Sequence, residues 1–569
     1  MFGRNLVTRG KVLLVHIAIF VTLTGCSEKA SEQLSSPIEP SEWFEDITAE
    51  SGLNFQHHSG VEGHYLLPEI MGAGAAIFDA DNDGRLDIYL ISGGPDHEGA
   101  RNRLFRQTSD GKFTDVTTQS GLGDHGFGMG AAVGDIDNDG DLDLLVTNYG
   151  DDRLYRNDGH GTFSDITGGA GIKGARWSTS ATFCDIDNDD HLDLYISTYV
   201  TNDPPFACTS GVGEIDYCGP NAYRGLADQL YRNNGDGTFT DISVTSGIAD
   251  VVNNGLGVLC FDFNKDSHDD FLIANDGERN QLWINDGTGR FNDRGVASGI
   301  AVNIFGETEA SMGIAFGDVN GDLGLDIFLT HLNEESNTLY LSTQRGALMD
   351  TTATSGLGIT SVRYTGFGTA LFDADHDGDL DLAIANGRVR KSQDSDPGDG
   401  SILEQFHHFF AESNQLMENT GTGHFQDFCD RTGQFCESLA ISRGLLTVDI
   451  DRDGDLDLLL TNSNGAAQLY RNNIPKMGNW LMLRVLDHNR DAIGALAAVR
   501  TGDTWQIRPV IHSYSYLSSS DATVHFGLGT ANSVDEIEIT WPDGVKERFA
   551  GGNVNQLRVI DRGAVNTDE

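Results

Sequence analysis

Apolar positions along this chain come in short bursts. A stretch of small and apolar residues, Gly72-Ala-Gly-Ala-Ala-Ile-Phe78, runs into a cluster of Asp and then into a second apolar run, Ile88-Tyr-Leu-Ile91. The same order recurs with Gly128-Met-Gly-Ala-Ala-Val133 before Leu144-Leu-Val-Thr147, and with Gly366-Phe-Gly-Thr-Ala-Leu-Phe372 before another Asp cluster. Short apolar runs bounded by polar, Gly-rich segments predict β-strands, so each Asp cluster is read as the loop of a hairpin. A third strand follows, as Leu154-Tyr-Arg-Asn157, Leu230-Tyr-Arg-Asn233, Leu282-Trp-Ile-Asn285 and Leu469-Tyr-Arg-Asn472. After a turn such as Asn234-Gly-Asp-Gly237 comes a fourth, as Phe113-Thr-Asp-Val116, Phe163-Ser-Asp-Ile166, Phe239-Thr-Asp-Ile242, Phe291-Asn-Asp293 and Phe425-Gln-Asp427.

The Asp clusters begin at Asp79, Asp135, Asp185, Asp262, Asp318, Asp373 and Asp449, at intervals of 56, 50, 77, 56, 55 and 76 residues. Four antiparallel strands per repeat make one blade, so the pattern predicts an all-β chain with a seven-bladed β-propeller over residues 43–474. Small residues in the first strand suit inner strands crowded around a narrow channel. Phe44-Glu-Asp-Ile-Thr48 repeats the fourth-strand text with no strands one to three before it, and residues 443–472 supply strands one to three with no fourth. The N-terminal strand is therefore expected to complete the last blade, which removes the open edge.

Within each loop the spacing is Asp-x-Asp-x-Asp-Gly-x-x-Asp. Carboxylates at positions one, three, five and nine, with a carbonyl at seven, are the hard oxygen ligands that suit calcium. The candidate ligands are Asp79, Asp81, Asp83 and Asp87; Asp135, Asp137, Asp139 and Asp143; Asp185, Asp187, Asp189 and Asp193; Asp262, Asn264, Asp266 and Asp270; Asp318, Asn320, Asp322 and Asp326; Asp373, Asp375, Asp377 and Asp381; and Asp449, Asp451, Asp453 and Asp457. Up to seven calcium ions are expected, with stability depending on them. Position six demands a sharp turn and is Gly84, Gly140, Gly378 and Gly454 in four loops, but Asp190, Ser267 and Leu323 in the others; Leu323 fits a left-handed turn poorly. One Asp-rich loop is a solvated turn; seven at a fixed place in a repeat are a ligand set.

Composition sharpens the picture in four places. Seventy Gly in 569 residues favour many tight turns, and a net charge of −49 argues against nucleic acid or anionic lipid as partners of the bare protein. Arg4, Arg9 and Lys11 precede an apolar run, too short to span a bilayer, that ends in Leu23-Thr24-Gly25-Cys26. This resembles a lipoprotein signal peptide over 1–25 with Cys26 as the lipidated residue, followed by a flexible Ser-, Glu- and Pro-rich tether over 26–42. Cys208 with Cys218, and Cys429 with Cys436, are expected as local disulfides of an exported protein, whereas Cys184 and Cys260, on inner strands of adjacent units, read as buried thiols.

The loops and strands from about residue 43 to 472 resemble the integrin-type FG-GAP (VCBS) repeats, which implies calcium loops on one face of a propeller and ligand-binding loops on the opposite one. From about residue 475 the repeat stops. Asn479-Trp-Leu481, Asn489-Arg-Asp-Ala-Ile-Gly494, Tyr516-Leu-Ser518, His525-Phe-Gly-Leu-Gly529 and Trp541-Pro-Asp-Gly544 resemble the ASPIC/UnbV domain, over 475–562 with a tail from 563, and the domain order is similar to bacterial relatives of cartilage acidic protein. Alternation in Trp480-Leu-Met-Leu-Arg-Val485 and Glu536-Ile-Glu-Ile-Thr-Trp541 independently predicts a small β-domain.

Two insertions, about 200–228 and 387–414, fall between strands two and three, on the face opposite the Asp loops and half a ring apart, and are the candidate binding surface. Phe406-His-His-Phe-Phe410 is read as packing of the second insertion onto the ring. His57, His58, His64 and Glu69 lack ligand spacing and form only a weak candidate for a metal or acid–base site. No nucleophile elbow and no His-Glu-x-x-His is present, and no catalytic residue is assigned. The reading is a calcium-binding extracytoplasmic binding or adhesion protein with an extracellular protein or glycan ligand, lipid-anchored in a bacterial envelope with the outer membrane preferred. The alternative is a propeller hydrolase or lyase acting on extracellular polymer at the channel mouth.

Overall fold

The structure is a computed structural model that describes residues 43–94, 100–201, 208–210, 213–344, 346–392 and 400–563. The segments expected to be signal peptide and tether, with Cys26 between them, and residues 564–569 lie outside the described residues. From Trp43 onward the chain is β-rich, with strands in the order the bursts of apolar residues predict. In the first unit they are Ala75–Phe78, Asp87–Leu90, Arg103–Gln107 and Phe113–Asp115, each antiparallel to the next.

The pairing pattern repeats to give seven such four-stranded units, and the first strand of each meets the first strands of its two neighbours around a closed ring. Closure is as expected. Phe44–Asp46 pairs with Gln468–Asn472, Phe44 opposite Asn472 and Asp46 opposite Tyr470, so the chain's first strand is the outermost strand of the last unit. Period-two alternation sends one set of side chains to each neighbour, so every seam between units has its own buried cluster. Ala76, Phe78 and Tyr89 pack on Ala131, Val133 and Leu144 between units one and two, and Leu446, Leu459 and Leu469 pack on Ile77, Ile88 and Phe105 between units seven and one. A fully buried Leu or Phe side chain contributes about 1.5–3 kcal/mol, so each seam is held mainly by apolar burial.

The C-terminal domain packs two sheets over one core. Trp480–Asp487 pairs with Val524–Gly527 and with Leu557–Asp561, and Leu496–Thr501 lies between Thr504–Pro509 and Ser533–Thr540. Leu483, Val485, Phe526, Ile537, Ile539 and Trp541 fill the space between them.

From this domain the segment Ser513-Tyr-Ser-Tyr-Leu-Ser-Ser519 enters the centre of the ring. Ser515 exchanges backbone hydrogen bonds with Ile314 of unit five at 2.7 and 3.0 Å, and its Oγ accepts from Thr369 N–H of unit six at 3.0 Å. The Leu517 carbonyl accepts from Ala131 N–H at 3.2 Å, Ser180 Oγ of unit three receives the Leu517 N–H at 3.2 Å, and Ser519 runs parallel to Ala76. The small residues of the inner strands make room for this segment rather than for an empty channel. A Cβ on Gly74 would sit 2.0 Å from the Leu517 carbonyl oxygen.

Three pairs of cysteines are bridged. Cys208–Cys218 and Cys429–Cys436 close loops of 10 and 7 residues. The reading of Cys184 and Cys260 as thiols is corrected: the inner strands of units three and four bring their Cα atoms to 6.6 Å, within reach of a disulfide, and they form one.

Candidate metal-binding loops

Each Asp loop is organised by its first and ninth residues. The position-one carboxylate accepts the position-six backbone N–H in all seven units, at 2.7–3.1 Å. That bond requires a left-handed turn, and every position-six residue adopts one. Leu323, the poorest fit by residue type, has φ +65°, beside +68° for Asp190 and +70° for Ser267. The fold imposes the conformation, at a cost of about 1–2 kcal/mol for a residue with a Cβ.

The position-nine carboxylate is the deepest group. Both oxygens of Asp87, Asp143, Asp193, Asp270, Asp326, Asp381 and Asp457 accept backbone N–H groups, one from position two of the loop and one from the end of strand three, at 2.7–3.2 Å. All seven are buried. Burial pushes Asp87 and Asp326 up to about 7 and Asp143, Asp193 and Asp270 up to about 8, with the loop's other carboxylates adding to the rise; Asp381 and Asp457 are driven well above the usual range by burial first.

Carboxylates drawn together this way need either protons or a cation. Ligand oxygens of Asp79, Asp81 and Asp87, of Asp135, Asp137 and Asp143, of Asp185, Asp187 and Asp193, and of Asp373, Asp375 and Asp377 lie within 4.8 Å of one another. Oxygen-only donors in that number fit a calcium ion, and Asp81, Asp137 and Asp373 each keep an oxygen with no hydrogen-bond partner. In the fourth and fifth loops Asn264 and Asn320 turn their amides onto the neighbouring Asp266 and Asp322, at 2.9 and 3.3 Å, which partly neutralises the position-five carboxylate.

A residue that sequence reasoning passed over links neighbouring loops across six of the seven seams. The side-chain amide that ends strand three donates to the position-two carbonyl of the preceding unit's loop: Asn157 to Ala80, Asn233 to Ile136, Asn285 to Ile186, Asn419 to Val319 and Asn472 to Ala374, at 2.8–3.0 Å. Gln107 of unit one does the same to Ile450 of unit seven at 2.7 Å, across the closure. Unit five ends this strand in Ser342, too short to reach unit four. The repeated Leu-Tyr-Arg-Asn text carried this signal, but its Asn was read only as the end of a strand.

The C-terminal domain covers the same face. Arg490 donates to Asn138 Oδ1 and to the Asp190 carbonyl at 2.8 and 2.7 Å, Met477 N–H to the Asp375 carbonyl at 2.8 Å, and a Cβ on Gly527 would lie 1.9 Å from Asp373 Oδ2. Between the loops and this domain lies a cavity of about 540 Å³, lined by Asp79, Asp449, Arg452, Arg484, Arg508 and His525 among others.

On the opposite face the two insertions meet over the centre of the ring. The rings of Tyr217 and Phe410 are 5.5 Å apart, and Asp216 Oδ2 accepts from Lys391 N–H at 3.1 Å. Ile402–Phe410 is a helix begun by a capping box of Ser401 and Glu404, and Phe406, Phe409 and Phe410 are buried, as packing requires. The tip of the central segment reaches this roof from below, where Tyr516 Oη donates to the Met71 carbonyl at 2.9 Å.

His57, His58, His64 and Glu69 are not assembled as one ligand set. His57 is buried, its Nδ1 accepting from Asn464 N–H at 3.1 Å, and burial holds it down to about 3. Glu69, pushed up to about 7 by burial, accepts from Tyr217 Oη at 3.1 Å, while His64 is exposed beside Glu62 at 3.6 Å.

Compared with known proteins, residues 486–567 match the family described as ASPIC and UnbV, and residues 79–146, 135–196 and 262–329 match the FG-GAP-like repeat. Cartilage acidic protein 1 of Homo sapiens is 26% identical over 341 residues, 58% of this chain and 40% of that protein. The Mus musculus protein of the same name is 25% identical over 343 residues, 58% of this chain and 41% of its own. Among solved structures, one described as the basis of specific recognition of non-reducing terminal N-acetylglucosamine by an Agrocybe aegerita lectin aligns with TM-score 0.40 and 13% identity over 71% of this chain and 95% of that one. A Bacillus licheniformis rhamnogalacturonan lyase aligns with TM-score 0.37 and 12% identity over 75% of each chain.

Proposed function

We propose, from the premise that this chain carries FG-GAP-like repeats and an ASPIC and UnbV domain and is homologous to cartilage acidic protein 1, that it is a calcium-loaded extracellular binding or adhesion protein. The observation that carries the reading is the sevenfold recurrence of one carboxylate-lined loop on one face of a closed ring. Calcium in these loops is structural: position one and position nine are already committed to backbone N–H groups, so an ion replaces buried protons and ties strand two to the loop rather than meeting a ligand from outside. Three disulfides among the described residues fit an oxidising compartment. Lipidation at Cys26 would hold the protein in a bacterial envelope.

Ligand binding falls to the opposite face, to an extracellular protein or glycan. There the insertions and residues 57–71 form a roof, with Leu66, Ile402 and Leu403 exposed on it. The channel mouth, where an enzyme of this fold would place its pocket, is filled by residues 513–519 from below and roofed from above. The test is to display the full chain on glycan and extracellular-protein arrays in calcium, and to repeat with Leu403→Asp and with Arg390→Glu, Arg390 being an exposed residue of the second insertion. Binding that is lost in both variants while their calcium-dependent melting is unchanged supports the reading. Binding that ignores both, or that persists after chelation and unfolding of the ring, overturns it.

A further inference from the structure

We propose that His376, His525 and Asp455 form a site for one divalent transition metal of zinc type, placed where the sixth and seventh Asp loops meet the C-terminal domain. Three separate elements supply the groups. His376 is at position four of the sixth loop, Asp455 at position seven of the seventh, and His525 lies in the strand Val524–Gly527. Imidazole nitrogen is a donor that suits zinc and that calcium does not seek, so this site differs in chemistry from the loops beside it.

His376 Nε2 lies 3.1 Å from Asp455 Oδ1, and both side chains are buried. The rings of His376 and His525 have centroids 5.1 Å apart. Two imidazoles on one tetrahedral zinc, with bonds of about 2.0–2.1 Å, place their ring centres about 5 Å apart and neighbouring donor atoms about 3.3 Å apart. The ring separation of 5.1 Å and the 3.1 Å between His376 Nε2 and Asp455 Oδ1 are of that size.

The pattern of unmet hydrogen bonds agrees. Neither nitrogen of His376, neither nitrogen of His525, nor Asp455 Oδ1 makes a hydrogen bond of good geometry, although all are buried. His376 Nε2 and Asp455 Oδ1 face each other at 3.1 Å while His376 Nδ1 and both His525 nitrogens are buried without such a bond, and a shared cation would satisfy one nitrogen of each imidazole and Asp455 Oδ1 together. Outer contacts are in place as well. Lys476 Nζ holds the other oxygen of Asp455 at 3.1 Å, which leaves Oδ1 for a metal, and the backbone of Gly478 and of Gly454 lies beside His376 and His525 respectively, where it can orient each imidazole. His525 and Asp373 line the 540 Å³ cavity, which provides an entry path. Such an ion would staple the C-terminal domain to the ring independently of calcium.

The competing account is an ion pair of protonated His376 with Asp455 and a His525 that merely fills space. The full chain is stripped of transition metals, saturated with calcium and titrated with zinc alone; bound metal is counted after desalting, and cobalt is substituted to read its visible d–d bands. His376→Asn is the cleaner variant, because Asn82, Asn138 and Asn188 hold the same left-handed position in units one to three; His525→Gln is the second. The proposal requires one zinc per chain in excess calcium, tetrahedral cobalt bands, and at least tenfold weaker zinc binding in His376→Asn with calcium-dependent melting unchanged. No zinc retained by the wild-type chain, or equal retention by both variants, overturns it.

Discussion

On one face of the ring the same nine-residue loop recurs in all seven units; on the other the connections differ in length, with five residues in units four and seven against two long insertions that meet over the centre. The first face is bound by a single physical demand, since every position-nine Asp must pin a loop to strand three and every position-one Asp must hold a left-handed turn. The second is bound only by packing, and so accommodates a capped helix in unit six and a disulfide-closed loop in unit three. Repetition marks where the molecule needs the same chemistry seven times, which is structural. Difference marks where it is free to recognise something. The C-terminal domain agrees with that division, because it covers the repeated face and leaves the roof open.

The comparison is broken most severely by uncoupling the covered face. Gly74→Val drives a side chain into the Leu517 carbonyl and is expected to expel residues 513–519, costing upwards of about 3 kcal/mol; a lower melting temperature and proteolytic release of the C-terminal domain check it. Asp143→Asn is isosteric, but it turns an amide toward one of two buried N–H groups and removes a proposed calcium ligand. A loss of about 2–4 kcal/mol in calcium is expected from denaturant unfolding, and a smaller one in chelator. Asn285→Ala severs the seam between units three and four and is expected to cost about 1–2 kcal/mol, whereas Ser342→Ala, at the seam that lacks the amide link, costs less than about 0.5. Leu323→Gly relieves a strained left-handed residue and is expected to stabilise by up to about 1 kcal/mol. On the roof, Leu403→Asp changes stability by less than about 0.5 kcal/mol, and its effect is confined to binding.

Much of the ring was readable because its signals are local. Each Asp loop and each Phe-x-Asp strand declares itself within about fifty residues, and the displaced strand at Phe44 predicts closure, whereas the link made by the Asn that ends strand three was in the sequence but not read. What was not readable depends on contacts between distant segments. Nothing in the alternation of Ser and Tyr from Ser513 to Ser519 distinguishes a segment that fills the ring from an ordinary strand. The bridge between Cys184 and Cys260 depends on how closely two inner strands approach, and the meeting of Tyr217 with Phe410 on how two insertions three units apart lean inward. Leu323 fits the left-handed turn poorly by residue type yet adopts it, because a local preference of about 1–2 kcal/mol is outweighed by a fold that needs the turn.

Calcium dependence of folding tests the central claim most directly. The buried carboxylates take up protons in the metal-free folded chain, since values near 7 and 8 at Asp87, Asp143, Asp193, Asp270 and Asp326 lie far above those of the unfolded chain. Stability supplied by those protons is complete below the unfolded value and is lost as pH rises through 7 and 8, where calcium must replace them. Thermal unfolding of the full chain, in excess calcium and then in chelator, is predicted to show a large fall in melting temperature at pH 8 and a smaller one at pH 6, reversed by calcium and not by equal magnesium. Identical melting with and without chelator at pH 8 would contradict the account and reduce the seven Asp loops to solvated turns.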